Sequence, residues 1–240
     1  ALIEDPSRLG PDFQPIKSLT DGQLIAYKAT GRGQSGTELD STLALLTSAQ
    51  SSGLVERLDW AFRCLAFDVA AAADVSVEVH LTPEPETFNS PCPPRLATSF
   101  GRGRRSLKVG AEVHAAAFDH PGLDAAVLEW RGWGWRVVVA DVSHLVDAAL
   151  LRRLDLLSPD VVQVDLTKPG RQTDPGLREF LSWAQGAGVP VHALGVNTEA
   201  HRAQALGFGA VAGRGRLLGP PPPPPPKNPP PTAPQTPAPP

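Results

Sequence analysis

Most of this chain alternates between strand-like and helix-like patterns, and that alternation limits the folds open to it. Residues 75–81 and 107–113 carry apolar side chains at every second position, which is the period of a strand. Residues 137–139 form a continuous valine run suited to a strand buried on both faces. Residues 54–65 place apolar side chains at helical spacing between such strands. The pattern favours an α/β fold.

A predicted hairpin lies near the start of the chain and departs from strict alternation. Residues 13–17 and 24–28 are predicted as its strands, with Asp21-Gly22 as the turn. Eight strand candidates separated mostly by helices favour a closed β/α (TIM-like) barrel, with a doubly wound sheet as the alternative. No glycine-rich dinucleotide fingerprint follows any strand, so the usual reason to prefer the open sheet is missing.

The other predicted elements rest on the same signals. Leu39, Leu43 and Leu46 share one helical face, and Gly53 is placed to end that helix. The remaining elements are a helix at 145–157, a strand at 161–166, a helix with Asp174 as N-cap and Pro175 at its first position, strands at 189–194 and 208–212, and a short helix starting near Thr198.

The chain is predicted to divide into an N-terminal lead-in at residues 1–10, a barrel at residues 11–219 and a tail at residues 220–240. Its 240 residues, 41% of them hydrophobic, suit one barrel as well as two small domains. Proline dominates the tail and lacks the N–H donor that a sheet requires. We expect a disordered, extended tail that serves as a solvated spacer or as a ligand for aromatic-lined grooves.

Residues 82–105 are predicted as a mobile loop. Five prolines lie in its first part, and residues 101–105 add a cluster of glycine and arginine. Such a basic cluster is more often a solvated loop than a phosphate cradle.

The charge balance excludes several classes of partner. The formal net charge is -3, which gives no global attraction for DNA, RNA or an anionic membrane. The sequence contains no secretory signal and no apolar run long enough to span a bilayer. Cys64 and Cys92 are too few for a disulfide framework, so a reduced, cytoplasmic setting is expected.

Short motifs point to a family by their order along the chain. They are Phe13-Gln14-Pro15-Ile16, Lys28-Ala29-Thr30-Gly31-Arg32, Gly53-Leu54-Val55, Leu58-Asp59-Trp60, Val79-His80-Leu81-Thr82-Pro83, Glu112-Val113-His114-Ala115, Ala140-Asp141-Val142-Ser143, Gln163-Val164-Asp165 and Ala193-Leu194-Gly195-Val196-Asn197-Thr198. From residue 13 to 220 this order resembles the EAL domain, the barrel of cyclic-di-GMP phosphodiesterases. The family's signature Glu-Ala-Leu begins here at Lys28, and the stretch at residues 193–198 is the one that is specific by itself.

The resemblance implies a site where two Mg²⁺ or Mn²⁺ ions clamp the scissile phosphate at the carboxyl-terminal rim of the barrel. The corresponding metal positions hold Lys28, His80, Glu112, Ala140, Asp141 and Leu194. Gln163 stands for the family's catalytic lysine, while Asp165 is retained. An ammonium group repels Mg²⁺ and competes for the same carboxylates. We therefore expect no catalytic residues, no bound metal and no cofactor.

The retained carboxylates need another counter-ion. We expect Lys28 to neutralise Glu112 and Asp141 inside the barrel mouth; the alternative is that the mouth admits water and all three are solvated. A second alternative is a transition-metal site formed by His80, Glu112, His114 and Asp141.

Histidine and tryptophan residues outside that site are predicted to be structural. The predicted surface or satisfied core groups are His120, His144, His192 and His201. Trp130, Trp133 and Trp135 are expected to pack across the barrel bottom rather than to form a stacking platform for bases.

Three functions follow from the resemblance. The first is an inactive EAL-like module that acts in signalling by binding a protein partner. The second is a receptor that binds cyclic-di-GMP without hydrolysing it, because Gln14 and Arg32 match positions that contact the nucleotide in the family. The third is an active phosphodiesterase. Family membership does not choose between the first two, because fold does not fix function.

Overall fold

A computed structural model describes residues 9–140, 146–165 and 174–219. Eight strands form a closed barrel in the order of the chain. The strands are β1 (Gly10–Ser18), β2 (Leu24–Arg32), β3 (Glu78–Leu81), β4 (Val109–His114), β5 (Arg136–Ala140), β6 (Val161–Asp165), β7 (Val191–Leu194) and β8 (Ala212–Gly213). The described α-helices are α1 (Thr42–Ser51), α2 (Val55–Ala72), α3 (Ala97–Ser106), α4 (Leu123–Gly132), α5 (Ala148–Leu157), α6 (Pro175–Gly186) and α7 (Glu199–Gly207). Closure confirms the predicted barrel and makes the open-sheet alternative wrong.

The predicted hairpin is present and is longer than the sequence pattern indicated. β1 pairs antiparallel with β2 and also with β8, whereas the strands from β2 to β8 pair in parallel. The turn forms where the Gly22 N–H donates to the Ser18 carbonyl oxygen at 3.1 Å, and Gly22 has a φ of 71° that favours glycine. The hairpin therefore supplies the one antiparallel strand that closes the barrel.

The two faces of the barrel strands differ in chemistry. Outward-facing residues of β3, β4 and β5 are small or branched apolar groups, such as Val79, Ala111 and Val137, and they belong to the main hydrophobic core beneath the helices. Alternate residues point inward, and several of these are buried polar groups: Lys28, His80, Glu112, Gln163 and His192. The interior of the barrel is therefore polar at its centre.

The predicted loop at residues 82–105 was wrong in its last part, where α3 begins at Ala97. Its prolines are confined to the segment before α3, where two of them begin 3₁₀ turns at Pro85–Thr87 and Pro94–Leu96. Phe100 and Gly103 are buried on α3, and the absence of a side chain at Gly103 lets the helix approach Phe67. Tertiary packing overrides the low helix propensity of glycine here.

Helix α4 was missed by the sequence analysis. Its buried stripe consists of Leu123, Ala126, Val127 and Trp130, which lie at helical spacing. Trp135 is buried and packs edge-on against Phe100 and Trp133. The tryptophans therefore pack, as predicted, but they do so between helices.

The predicted starts of α6 and α7 are confirmed, whereas the start of α1 shifts by a few residues. The α6 prediction is confirmed, since Asp174 Oδ1 accepts from the Gly176 N–H at 2.9 Å and Pro175 follows it. The α7 prediction is confirmed by Thr198 Oγ1, which accepts from the His201 N–H at 3.2 Å. Leu39 precedes α1 instead of joining it, because Ser41 is the N-cap.

The strand predicted at residues 208–212 is displaced, because Phe208 is the C-cap of α7 and β8 contains only Ala212 and Gly213. The first predicted residue of the 145–157 helix and the last residue of the 161–166 strand lie outside the described residues. The lead-in lies outside them except for residues 9 and 10, and the tail lies wholly outside. None of the described helices is long and apolar enough to cross a lipid bilayer.

Candidate ligand-binding site

The centre of the site is an ion pair inside the barrel. Lys28 on β2 and Glu112 on β4 reach toward each other across β3, and the ammonium group donates to the carboxylate and to Thr82 Oγ1. Their side chains are only 5% and 1% exposed. The expected pairing of Lys28 with Glu112 is therefore present, while Asp141, its second expected partner, lies outside the described residues.

Both oxygens of the Glu112 carboxylate are bonded by protein groups. Lys28 holds Oε2, and the Gln163 amide donates to Oε1 at 2.8 Å. His80 Nδ1 lies 3.2 Å from the same Oε1. Burial alone would raise the pKa of Glu112, but the charges and hydrogen bonds of Lys28 and His80 hold it well below its ordinary value. Burial also lowers the pKa of Lys28, and the Glu112 carboxylate opposes that shift.

His80 extends this network toward the other end of the barrel. Its Nε2 lies 2.6 Å from Glu78 Oε1, and Arg136 Nη1 lies 3.4 Å from Glu78 Oε2. Burial opposes a charge on His80, but hydrogen bonds to Glu112 and then Glu78 raise its pKa above the ordinary value. Both ring nitrogens of His80 therefore face carboxylates, and contacts run through the barrel from Arg136 to Lys28.

His192 on β7 lies beside His80 in the barrel interior. The two rings are stacked, with centroids 6.4 Å apart and an interplanar angle of 6°. Burial, and next the charge of His80, lower the pKa of His192 to about 4. Its Nδ1 is buried and has no hydrogen-bond partner among the residues that the structure describes. The prediction of a surface or satisfied core group was therefore wrong for His192.

Two other described histidines lie away from the network. His120 is half-buried, and its Nδ1 accepts from the Gly122 N–H at 3.1 Å. His201 Nδ1 lies 2.9 Å from the Gly195 carbonyl oxygen. These two fit the structural role that was predicted, whereas His144 lies outside the described residues.

A cavity of about 250 Å³ opens beside the ion pair; we call it the mouth cavity. Arg214, which follows β8, also contributes a positive charge there and donates to Gln14 Oε1 at 3.0 Å. Burial and the charge of Asp59 raise the pKa of Glu84 to about 7. The main lining residues are Pro11, Lys28, Leu46, Asp59, Phe62, Arg63, Leu81, Thr82, Glu84, Glu112, His114 and Arg214. The cavity combines three basic side chains, those of Lys28, Arg63 and Arg214, with carboxyl groups and an apolar wall.

Arg32, the other predicted nucleotide contact, does not line the mouth cavity. Its guanidinium group pairs with Asp12 at 3.2 Å and with Asp40 at 2.7 Å, while its side chain is 42% exposed. Its positive charge is therefore already neutralised by two carboxylates at the edge of the hairpin.

The remaining carried-over positions lie at strand ends. Ala140 is buried at the end of β5 and Leu194 is half-buried at the end of β7. Neither side chain has an oxygen or nitrogen that could bind a metal. Asp165 ends β6 and is half-buried.

The described residues do not fit the family's two-metal site. Mg²⁺ requires oxygen ligands, and the Glu112 carboxylate is occupied by Lys28, Gln163 and His80. Across residues 9–140, 146–165 and 174–219, no group of three or more His, Cys, Asp and Glu side chains is arranged to hold a metal. This finding also contradicts the transition-metal alternative for its described members, His80, Glu112 and His114. In addition, both ring nitrogens of His80 face carboxylates.

Sequence reasoning missed a second polar cluster next to the mouth cavity. Asp59 and Arg63 form a buried ion pair one turn apart on α2. Arg63 Nη2 donates to Thr87 Oγ1 at 2.9 Å, and the Glu84 N–H donates to Asp59 Oδ2 at 3.2 Å. A signal was available, since two opposite charges four residues apart interrupt the apolar stripe of α2.

The fold and the polar mouth define an EAL-type barrel. A model of the EAL domain family matches residues 3–221, and this chain belongs to that family. No curated protein sequence gives a significant match.

Solved EAL structures share the fold at low sequence identity. The PaMucR phosphodiesterase in complex with c-di-GMP superposes with a TM-score of 0.73 at 19% identity, covering 90% of this chain and 97% of that one. The EAL domain of Xanthomonas citri FimX in complex with c-di-GMP gives 0.70 at 17% identity, with 89% and 88% covered. Bacillus subtilis YkuI, in complex with c-di-GMP and calcium, gives 0.73 at 16% identity, with 91% and 56% covered. This chain therefore spans little more than half of YkuI.

Proposed function

We propose that this chain is a cytoplasmic, catalytically inactive EAL domain that acts in signalling by binding a protein partner. The observation that carries the proposal is the position of the Lys28 ammonium group, which bonds Glu112 at the centre of the site. Metal-dependent phosphodiester hydrolysis needs anionic oxygens free to bind the ions and a base or metal that activates water. Here the carboxylate oxygens of Glu112 contact Lys28, His80 and the amide of Gln163 instead.

Changes around the ion pair support the same conclusion. Gln163 stands where the family has its catalytic lysine, and its amide neither carries a charge nor exchanges a proton at neutral pH. Ala140 and Leu194 offer no metal-binding atoms. Restoring one position would therefore leave the others unable to support the reaction.

An assay of cyclic-di-GMP hydrolysis with Mg²⁺ or Mn²⁺ tests the loss of activity. We expect no turnover above the rate of buffer alone, with an active EAL phosphodiesterase as the positive control. Turnover that rises with added metal and disappears in Glu112→Ala would contradict the proposal.

Two exposed leucines on neighbouring helices support a role in protein binding. Leu128 on α4 is 74% exposed and Leu156 on α5 is 76% exposed. The helices are joined where Arg131 donates to the Leu157 carbonyl oxygen at 2.5 Å. A partner that covers these two leucines would bury apolar surface.

Affinity capture from an extract of the native cell tests this surface. We expect one or more partners to be retained by the parent and lost by the Leu128→Glu/Leu156→Glu variant. Leu43→Glu on α1, where the leucine is 76% exposed, is the matched control. Equal capture by all three proteins would remove this surface from the proposal.

A receptor for cyclic-di-GMP that does not hydrolyse it is the second candidate. The observation in its favour is the pair of cations, Lys28 and Arg214, at the mouth cavity, because a phosphate prefers such surroundings. The neutralisation of Arg32 by Asp12 and Asp40 weighs against it. We expect calorimetric titration to detect weak binding or none. A micromolar or tighter dissociation constant that is weakened by Arg214→Ala or Arg32→Ala would make the receptor the preferred function.

A further inference from the structure

The two cysteines of this chain lie in segments that pack against each other, although 27 residues separate them in the sequence. Cys64 is buried on α2, and Cys92 is half-buried in the segment before the 3₁₀ turn at Pro94–Leu96. The segment that carries Cys92 lies along α2, where Trp60 Nε1 donates to Ser90 Oγ at 3.1 Å. Cys64 Sγ also lies 3.8 Å from the Leu96 carbonyl oxygen. Cys92 packs against the same hydrophobic core that contains Cys64.

We propose that Cys64 and Cys92 form a reversible intramolecular disulfide when the protein meets a small disulfide oxidant such as oxidised glutathione. Disulfide formation requires the two sulfur atoms to approach without a large backbone movement. The packing of the Cys92 segment on α2 provides that approach. This site is independent of the proposed function, since neither sulfur lines the mouth cavity.

The reaction proceeds by two exchanges. The Cys92 sulfur, deprotonated and the more exposed of the two, attacks one sulfur of oxidised glutathione and expels one glutathione thiolate, which takes up a proton. The deprotonated Cys64 sulfur then attacks the Cys92 sulfur and expels the second glutathione thiolate. Two protein thiols are oxidised, and one glutathione disulfide is reduced to two thiols.

The surroundings of the two thiols set the rate of this exchange. Burial, and next the proximity of Cys92, raise the pKa of Cys64 to about 12, and burial raises the pKa of Cys92. The thiolate is the attacking species, so the reaction is slow at neutral pH and accelerates roughly tenfold for each pH unit between about 7 and 9.

The disulfide would restrain one wall of the mouth cavity. It would fasten α2 to the segment that contains Ser90, which already accepts from Trp60 Nε1 at 3.1 Å. α2 supplies Asp59 and Arg63 to the cavity, and Glu84 precedes the fastened segment in the chain. Oxidation would thus change the rigidity of the cavity wall without changing a side chain that lines it.

Mass spectrometry of the intact protein after incubation with oxidised glutathione tests the proposal. We expect one monomeric species lighter by about 2 Da, with both cysteines protected from iodoacetamide under denaturing conditions and released by dithiothreitol. We also expect the melting temperature to rise by roughly 5 °C or more, because the bond closes a loop of the unfolded chain.

Two single variants keep the result interpretable. Cys64→Ser retains the accessible thiol, so it should end as a glutathione adduct heavier by about 305 Da. Cys92→Ser retains only the buried thiol and should react far more slowly. The proposal fails if the parent keeps two free thiols or ends as the Cys92 adduct. It also fails if the parent forms disulfide-linked dimers that disappear in Cys92→Ser.

Discussion

The Lys28 ammonium group contacts the Glu112 carboxylate inside a closed barrel, where both side chains are almost fully buried. The pair joins β2 to β4 and anchors a network that includes His80 and Gln163. A buried charge that loses its partner is costly, because neither water nor a counter-ion replaces the lost contact. The stability of the domain should therefore depend on this pair more than on its surface ion pairs.

Lys28→Ala is expected to lower the free energy of unfolding by about 3 kcal/mol, the scale for breaking a buried pair. Lys28→Met keeps most of the aliphatic stem and should lose nearly as much, because the missing charge is the main cause. Urea denaturation measures both changes. In the double variant Lys28→Ala/Glu112→Gln the loss should be smaller than the sum of the two single losses. Strict additivity would show that the two groups do not interact.

Lys28→Glu restores the family residue but should not restore hydrolysis with Mn²⁺, because Ala140, Gln163 and Leu194 are unchanged. Two carboxyl groups side by side raise each other's pKa, so the variant gains stability as the pH falls through those raised values. Its deficit relative to the parent should be larger at pH 8 than at pH 5. Melting curves at the two pH values check this order, and Lys28→Gln is the uncharged control.

His192 should make the domain less stable in mild acid. Its pKa is about 4 when folded against an ordinary value of 6.5, so below pH 6.5 the unfolded chain binds a proton that the folded chain does not. The free energy of unfolding should fall by about 3 kcal/mol from this group as the pH drops from 6.5 to 4. Urea denaturation over this range should show a flatter profile for His192→Gln. An unchanged slope would mean that folding does not lower the pKa of His192.

Two neighbouring groups, His80 and Glu112, contribute to the stability of the domain over pH ranges that differ from that of His192. The pKa of His80 is raised by folding, so its contribution is fully present below pH 6.5 and is lost as the pH rises through the folded value. The pKa of Glu112 is lowered, so its contribution is present above about pH 4.5 and is lost as the pH falls through the folded value. NMR titration of the imidazole signals would separate His80 from His192.

Two glycines of α3 should respond in opposite directions to the same substitution. A Cβ at Gly103 would lie 2.3 Å from the Phe67 ring, so Gly103→Ala should destabilise the domain by about 1–3 kcal/mol. A Cβ at Gly101 would meet only the flexible end of Arg105 at 3.2 Å. Gly101→Ala should therefore stabilise the helix by up to about 1 kcal/mol. Thermal melts of the two variants test the contrast, and equal shifts would contradict the close packing of α3.

The strands were largely predictable because their side chains alternate with the period of two that β-structure imposes. α3 was not predictable, because Gly101 and Gly103 are typical of helix breakers in a local pattern. The close contact of Gly103 with Phe67, which requires a glycine, depends on another helix, α2. β8 has only two residues, too few to show a period.

Some contacts of the candidate site could be predicted from the sequence, and others could not. The pairing of Lys28 with Glu112 could be expected, because strand ends converge at one rim of a barrel. The stacking of His192 on His80 could not, because it depends on barrel closure and burial that no local pattern encodes. The contact of Arg214 with Gln14 likewise depends on the fold, because the turn after β8 brings Arg214 beside residues from the start of the chain.

The pairing of β1 with β8 has a consequence for the order in which this domain is made. Lys17 pairs with Gly213, so the barrel closes only after almost all of the described chain has left the ribosome. The hairpin β1–β2 forms from local contacts, whereas the final pairing must overcome the entropy of closing a very long loop. Until then β1 and β7 each present an unpaired edge that another nascent chain could occupy. The shortest strand of the sheet thus sets the length of the period during which the growing protein is exposed to misassembly.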